Sequence, residues 1–174
     1  ISLPGQYLTH IQRREAVRFI RDRDPERPFF LYVPFKAPHD PMQAKKADLA
    51  KYATVKDEKR RIYSAMVDSM DQAIGVVLSA LAEKDIAENT FVLFFSDNGA
   101  LRWGNNKPWR SGKGSVYEGG LRVPMIARWP GTVAAGSTTD HISGFQDVLP
   151  TLAELTGGTI PDHVDGVSFL PTLT

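Results

Sequence analysis

The chain is 174 residues long, with 42% hydrophobic and 24% charged residues, a composition that belongs to a globular domain and excludes disorder as its main character. Its 21 Lys and Arg against 20 Asp and Glu leave a net charge of +1, so no overall field draws it to nucleic acid or an anionic membrane, and any anion site must be local. The absence of Cys removes disulfides, thiolate zinc sites and thiol nucleophiles.

The opening stretch, ISLPGQYLTH, has no initiator Met and no basic segment followed by an apolar one. It reads neither as a signal peptide nor as the natural start of a protein, and no unbroken apolar run reaches the roughly 20 residues of a membrane span. A first helix is expected over about residues 9–21, where Ile11, Val17, Phe19 and Ile20 are apolar, stopping before Asp24-Pro25. FFLYV (29–33) follows, aromatic and β-branched with both alternating faces apolar, the pattern of a central strand.

The clearest element comes next. Ile62, Ala65, Met66, Met70, Ala73, Ile74, Val77, Leu78 and Leu81 recur at three- and four-residue steps, which predicts a long helix with one buried face. Thr54 with Asp57 three residues on reads as its capping-box start, and it should fade near Lys84 and Asp85 before a polar turn at Glu88-Asn89. FVLFF (91–95) is a second central-strand run. Strand, helix, strand in this order predicts a right-handed parallel crossover.

Ten of the 26 Gly and Pro residues then fall between Gly99 and Gly131, a turn-rich loop. A third strand is expected over about 122–129, with Pro124 at an edge or entry position. A last helix over about 146–155 ends at Gly157-Gly158, and the tail DGVSFLPTLT carries no finishing element. With no repeat and no linker, the pattern is part of one α/β layered domain.

In open α/β sheets, ligands gather beyond the carboxyl ends of the strands. FVLFF runs directly into Ser96-Asp97-Asn98-Gly99. Adjacent oxygen donors followed by a Gly suit a hard cation such as calcium or magnesium; on these four residues alone an Asx-turn that closes the strand is the stronger reading. The stretch from 98 to 117 then carries Arg102, Lys107, Arg110 and Lys113 and no acid. A cation with Lys and Arg around a Gly-rich backbone is what a sulfate or phosphate needs; a merely solvated basic loop is the other reading. Gly112-Lys113 is not a nucleotide P-loop, because that pattern needs Gly at 107 and Ser or Thr at 114, where Lys107 and Gly114 stand. FFLYV exits into Pro34-Phe35-Lys36-Ala37-Pro38-His39-Asp40-Pro41, where prolines on both sides stiffen the loop presenting His39. His10, His141 and His163 have less support. Asp68 and Asp71 read as flanking the outer side of the long helix rather than as a catalytic pair.

Taken together, PFFLYVPFKAPHDP, YSAMVDSMDQAIG, FFSDNG, NNKPWRSGKGSVYEGGLRVPMIARWPG and FQDVLPTLAELTGG, in that order and spacing, resemble the type I sulfatases, arylsulfatase-like branch, of the alkaline-phosphatase-like superfamily. The resemblance runs from about Phe29 to Leu173. It implies a partial alkaline-phosphatase-like α/β sandwich, a mostly parallel central sheet flanked by helices, with residues 1–174 forming a fragment of a single catalytic domain. It also implies that Asp97 and Asn98 are ligands of Ca2+, or of Mg2+ in its place. Lys113 would contact sulfate oxygens, and His39 would hydrogen-bond the sulfate or leaving oxygen and help protonate it. Glu118, Gly119 and Gly120 would shape the loop, and Arg122 would have a structural partner. A lysine about 4 Å from a developing negative charge contributes about 1 kcal/mol in water and about 4 kcal/mol at the effective dielectric of a protein site.

The chain departs from that family in one respect. Sulfatases of this type attack with a formylglycine made from the Cys or Ser of [C/S]-x-P-S-R, and draw two further metal-binding Asp residues from near the N-terminus. The nearest approach here, Ser2-Leu3-Pro4-Gly5-Gln6, lacks the Ser-Arg. The expectation is therefore the sulfate- and metal-binding half of a sulfuric ester hydrolase whose parent acts on a sulfated small molecule or sulfated glycan, while the isolated chain is inactive. A phosphodiesterase or phosphonate hydrolase of the same superfamily and a non-catalytic anion-binding module are the alternatives. No nucleic acid, membrane span or protein partner is expected, and the family suggests a periplasmic, extracellular or lysosomal setting.

Overall fold

The computed structural model describes residues 5–174, so Ser2, Leu3 and Pro4 of the formylglycine-like stretch lie outside the described residues. The chain divides into two compact units: residues up to Ala87 together with Ser96–Val123, and Glu88–Phe95 together with Pro124–Thr174.

The first unit is built on helices. Helix α1 (Leu8–Asp22) buries Ala16, Val17 and Ile20, and helix α3 (Glu58–Glu83) buries Ala65, Met66, Ala73, Ala80 and Leu81; the two pack along each other. Alanines on the α3 face let the backbones approach closely while Ile20, Met66 and Leu81 fill the seam. Arg21 and Glu83 close its far end at 2.7 Å, an exposed pair contributing about 1 kcal/mol at most. The short α2 (Lys46–Lys51) lies on α3, where Lys51 bonds Asp68 at 2.8 Å. That bond holds the Asp68 carboxyl below its ordinary range. Asp68 is thus committed to a lysine, and Asp71 stays exposed.

Helix α3 begins one turn later than its sequence suggests: the cap is Asp57, whose carboxylate accepts from Arg60 N–H at 2.7 Å, and Thr54 lies outside. An aspartate has both the charge and the reach to cap, so no reciprocal box is needed. By length and composition α3 is also the one described helix that could cross a bilayer. Its α1-facing side is buried in this unit, as in the core helix of a layered domain.

Residues 29–33 form no ladder among the described residues, so the expected parallel crossover is not realised in this chain. A run that is apolar on both faces needs neighbours on both sides, and α1 supplies only one. Phe29 meets Phe19 edge-on at 6.0 Å and lies under Arg23, while Phe30 and Tyr32 remain 73% and 68% exposed. The segment is tied further along by the Gln12 side chain, which donates to the Pro34 carbonyl. The last element of this unit is a single turn, α4 (Glu118–Leu121).

The second unit holds the only ladder among the described residues: β1 (Val92–Phe95) antiparallel to β2 (Met125–Arg128), with Val92 opposite Arg128 and Phe95 opposite Met125. Pro124 sits just before β2, where it removes no ladder bond. Aromatic pairs close both ends, Phe91 with Trp129 at 6.0 Å and Phe95 with Phe145 at 5.2 Å. Helix α5 (Val148–Thr156) ends on Gly157, which takes the left-handed conformation at φ 69° that favours Gly at this position. The tail does carry a finishing element, α6 (Leu170–Leu173), fixed by a hydrogen-bond relay that runs from the buried Phe169 out to the exposed Val167. Phe169 N–H donates to Thr151 Oγ1 at 3.0 Å, Thr151 donates to the Asp147 carbonyl at 2.6 Å, and Asp147 Oδ1 accepts from Val167 N–H at 2.8 Å.

Candidate anion and metal site

The DNG turn and the Lys113 loop are joined backbone to backbone within the first unit. Gly99 N–H donates to Gly120 O at 3.0 Å, Lys113 N–H to Ala100 O at 3.3 Å, and Gly119 N–H to Arg110 O at 3.0 Å. These contacts need glycine: a Cβ on Gly99 would stand 1.8 Å from Gly119 O, and one on Gly120 would stand 2.1 Å from Ser115 O. Three strands of loop are pressed together too tightly for side chains, which explains the Gly density after Phe95. An open depression of about 220 Å3 results, lined by Ala100, Arg102, Asn106, Ser111 and Lys113 among others.

The charges in this loop are not equivalent. Arg102 lies 4.1 Å over Trp103, and Arg110 4.0 Å over Tyr117, stacking that braces the backbone. Arg122 is paired with Glu118 and stacked 4.5 Å over Trp109, the structural partnership its sequence context suggests. Lys113 is exposed and its ammonium has no acidic or aromatic partner among the described residues, so it keeps its three donors for an anion.

Asp97 is exposed and its carboxylate makes no hydrogen bond among the described residues. Asn98 is half-buried and donates through Nδ2 to Gly99 O at 3.0 Å, which leaves Oδ1 as an acceptor. The turn is therefore closed by Asn98 while the Asp97 carboxylate is spared. In kind these oxygens fit a hard cation; in number they fall short of the six to eight that calcium takes. Among the described residues no group of three or more His, Asp or Glu gathers to hold a metal.

His39 stands in the same unit on the loop after residue 36. Its N–H donates to Lys36 O at 2.8 Å and Nδ1 faces the Asp40 carbonyl at 2.8 Å, which places the proton on Nδ1 and leaves Nε2 for another partner. No hydrogen bond or ion pair joins His39 to Asp97, Asn98 or Lys113 among the described residues. The structure thus brings three of the four residues singled out by sequence into one loop assembly and holds the fourth in a separate, anchored loop. His141 and His163 are exposed. His10 makes an unforeseen contact, accepting from Lys45 Nζ at 2.9 Å. Burial, then Lys45 and Arg13, push its pKa below 6.5.

One residue of the assembly escaped sequence reasoning. Asn106, half-buried, accepts from Ala100 N–H and donates to Ala100 O, both at 2.8 Å, and also donates to Ser111 O at 3.1 Å. The one available hint was an Asn in a Gly- and Pro-rich loop, where its amide can replace a peptide group.

Comparison with known proteins bears on the family and the fold. The family model described as Sulfatase matches residues 2–158. Human N-acetylgalactosamine-6-sulfatase is 38% identical over 174 residues, covering 95% of this chain and 32% of that protein. Human steryl-sulfatase is 32% identical over 187 residues, covering 99% of this chain and 31% of that protein. The crystal structure of Ps i-CgsB in complex with k-i-k-neocarrahexaose superposes with a TM-score of 0.91 at 39% identity, over 96% of this chain and 38% of that one. The chain thus spans about a third of the length of these relatives, and its fold is the α/β fold of the alkaline-phosphatase-like sulfatases. By its sequence and its fold, the chain belongs to the sulfatase family.

Proposed function

We propose that residues 1–174 are a fragment of a single sulfatase catalytic domain, carrying the sulfate- and metal-binding half of the active site of an enzyme that hydrolyses sulfate esters. The observation that carries this reading is the joining of the DNG turn to the Lys113 loop through Ala100, which draws an acidic turn and an unpaired ammonium into one assembly. Asp97 and the Asn98 Oδ1 supply part of the shell of a Ca2+ or Mg2+ ion. Lys113 binds sulfate oxygens and offsets the charge that develops on them. His39, its Nδ1–H engaged by Asp40 O, would deliver a proton from Nε2 to the leaving oxygen as the imidazolium, with both ring nitrogens protonated, and return to the neutral Nδ1–H ring.

The metal would polarise the sulfate, and a formylglycine, for which this sequence has no Cys and no complete motif, would supply the nucleophile in the parent enzyme. A sulfated glycan is the favoured substrate class over an aryl or steryl sulfate. Its support is that the relatives at 38% and 39% identity are an N-acetylgalactosamine-6-sulfatase and a chain holding a carrahexaose, against 32% for the steryl-sulfatase.

The purified chain should give no turnover of an aryl sulfate and little calorimetric heat with calcium and dilute sulfate. Millimolar sulfate should perturb the amide resonances of Asn98, Ala100 and Lys113. Turnover abolished by Lys113→Ala would overturn the fragment reading, and tight binding of dilute sulfate would favour a self-sufficient anion-binding module.

A further inference from the structure

We infer that Asn106 is a positioning residue of the sulfate site, holding the Lys113 loop at a fixed place relative to the Asp97-Asn98 turn; this rests on the site reading proposed above. Its amide makes three hydrogen bonds to two separate loop segments. Oδ1 accepts from Ala100 N–H at 2.8 Å, while Nδ2 donates to Ala100 O at 2.8 Å and to Ser111 O at 3.1 Å. Ala100 is two residues beyond Asn98, and Ser111 two residues before Lys113. A single planar amide therefore spans the interval between the metal-ligating turn and the anion-binding lysine.

The grip on Ala100 has the form of a strand pairing, one N–H accepted and one C=O bonded, supplied by a side chain where no second strand is present. The packing around it is specific. A Cβ on Gly112 would lie 2.3 Å from Ala100 O and 2.7 Å from Asn106 Nδ2, so the backbone beside Lys113 is drawn against the amide itself. Two backbone ties remain: Lys113 N–H to Ala100 O at 3.3 Å, longer than either Asn106 bond to Ala100, and Gly99 N–H to Gly120 O at 3.0 Å, seven residues beyond Lys113. Loss of the amide leaves the longer bond alone to hold the backbone at Lys113 itself, and with it the spacing on which joint binding of metal and anion depends.

Two variants isolate the effect. Asn106→Ala removes all three bonds. Asn106→Asp keeps the size and the acceptor for Ala100 N–H, but sets a carboxylate against the carbonyls of Ala100 and Ser111. In the isotopically labelled chain, amide exchange at Gly99, Ala100 and Lys113 should rise roughly tenfold or more in both variants, with Ile20 in α1 and Ala73 in α3 unchanged as a check on folding. The initial slope of a sulfate titration read at Lys113 should fall roughly tenfold. In a Lys113→Ala background, read at Ala100, adding Asn106→Ala should change that slope less than about twofold, because a residue that acts by placing Lys113 has nothing left to place.

Unchanged exchange at Lys113 in both variants overturns the clamp. An equal loss of sulfate response with and without Lys113 overturns the positioning role. If the parent chain shows no sulfate response, the sulfate-site reading fails and with it the role of Asn106 at that site, while raised exchange would still establish the clamp itself as a loop device.

Discussion

Gly99 and Gly120 meet backbone to backbone, the amide of one donating to the carbonyl of the other at 3.0 Å across 21 positions. The acidic turn is thereby fastened to the loop that follows Lys113, with no room for a methyl group between them. Gly99→Ala would drive a Cβ to 1.8 Å from Gly119 O, an overlap with backbone that no side-chain rotation relieves. A loss of about 3 kcal/mol in urea unfolding is expected. Gly114→Ala is the contrast: its φ is +83° but nothing lies within 4 Å, so the cost should be about 1 kcal/mol.

Lys113→Ala should separate binding from stability. The side chain is exposed and braces nothing, so the unfolding free energy should stay within about 0.5 kcal/mol of the parent. The sulfate-induced amide shifts at Ala100 and Gly112 should weaken severalfold while staying measurable, the remaining response coming from backbone N–H groups and the other cations of the loop. A stability loss of several kcal/mol would show that this lysine is structural.

His10 predicts a pH dependence. Its neutral Nδ1 accepts from Lys45 Nζ, and burial followed by Lys45 and Arg13 lowers its pKa below 6.5, with Asp48 opposing them. The unfolded chain then binds the proton more readily than the folded one. The stability associated with neutral His10 is fully present above pH 6.5 and is lost as pH falls through the lower folded value. Urea midpoints measured downward from neutral pH should fall in that window, and His10→Gln should flatten the slope there. An unaltered slope would show that His10 does not report on folding.

Phe169 anchors the second unit. It is 2% exposed, and Phe169→Ala should cost about 3–5 kcal/mol. Thr151→Val would keep the volume but leave the Phe169 N–H buried without its acceptor, for about 1–3 kcal/mol. Urea unfolding of both variants checks the order, and a harmless Thr151→Val would show that the relay does not secure the tail.

Helices were the most legible part of the fold. The 3.6-residue recurrence from Ile62 to Leu81 marked α3 within a few residues, because burial against α1 imposes that period on the sequence. Its start is not legible in the sequence, because Thr54 and Asp57 are both good caps and only the backbone decides between them. The strand signal at 29–33 was chemically sound, yet a strand exists only through its partners, and the described residues offer FFLYV none. At the site, the residue types of Asp97, Asn98, Lys113 and His39 stood out because charge and turn chemistry are written locally. Asn106 did not, since its function lies in three bonds to backbone atoms that become neighbours only after folding.

The exposed rings of Phe30 and Tyr32 bear on handling. A ribbon with bare aromatic faces and unsatisfied peptide edges is adhesive toward copies of itself. Concentrated stocks should scatter light increasingly with dose and clear on dilution, so spectroscopic work on this polypeptide belongs at low concentration and low ionic strength.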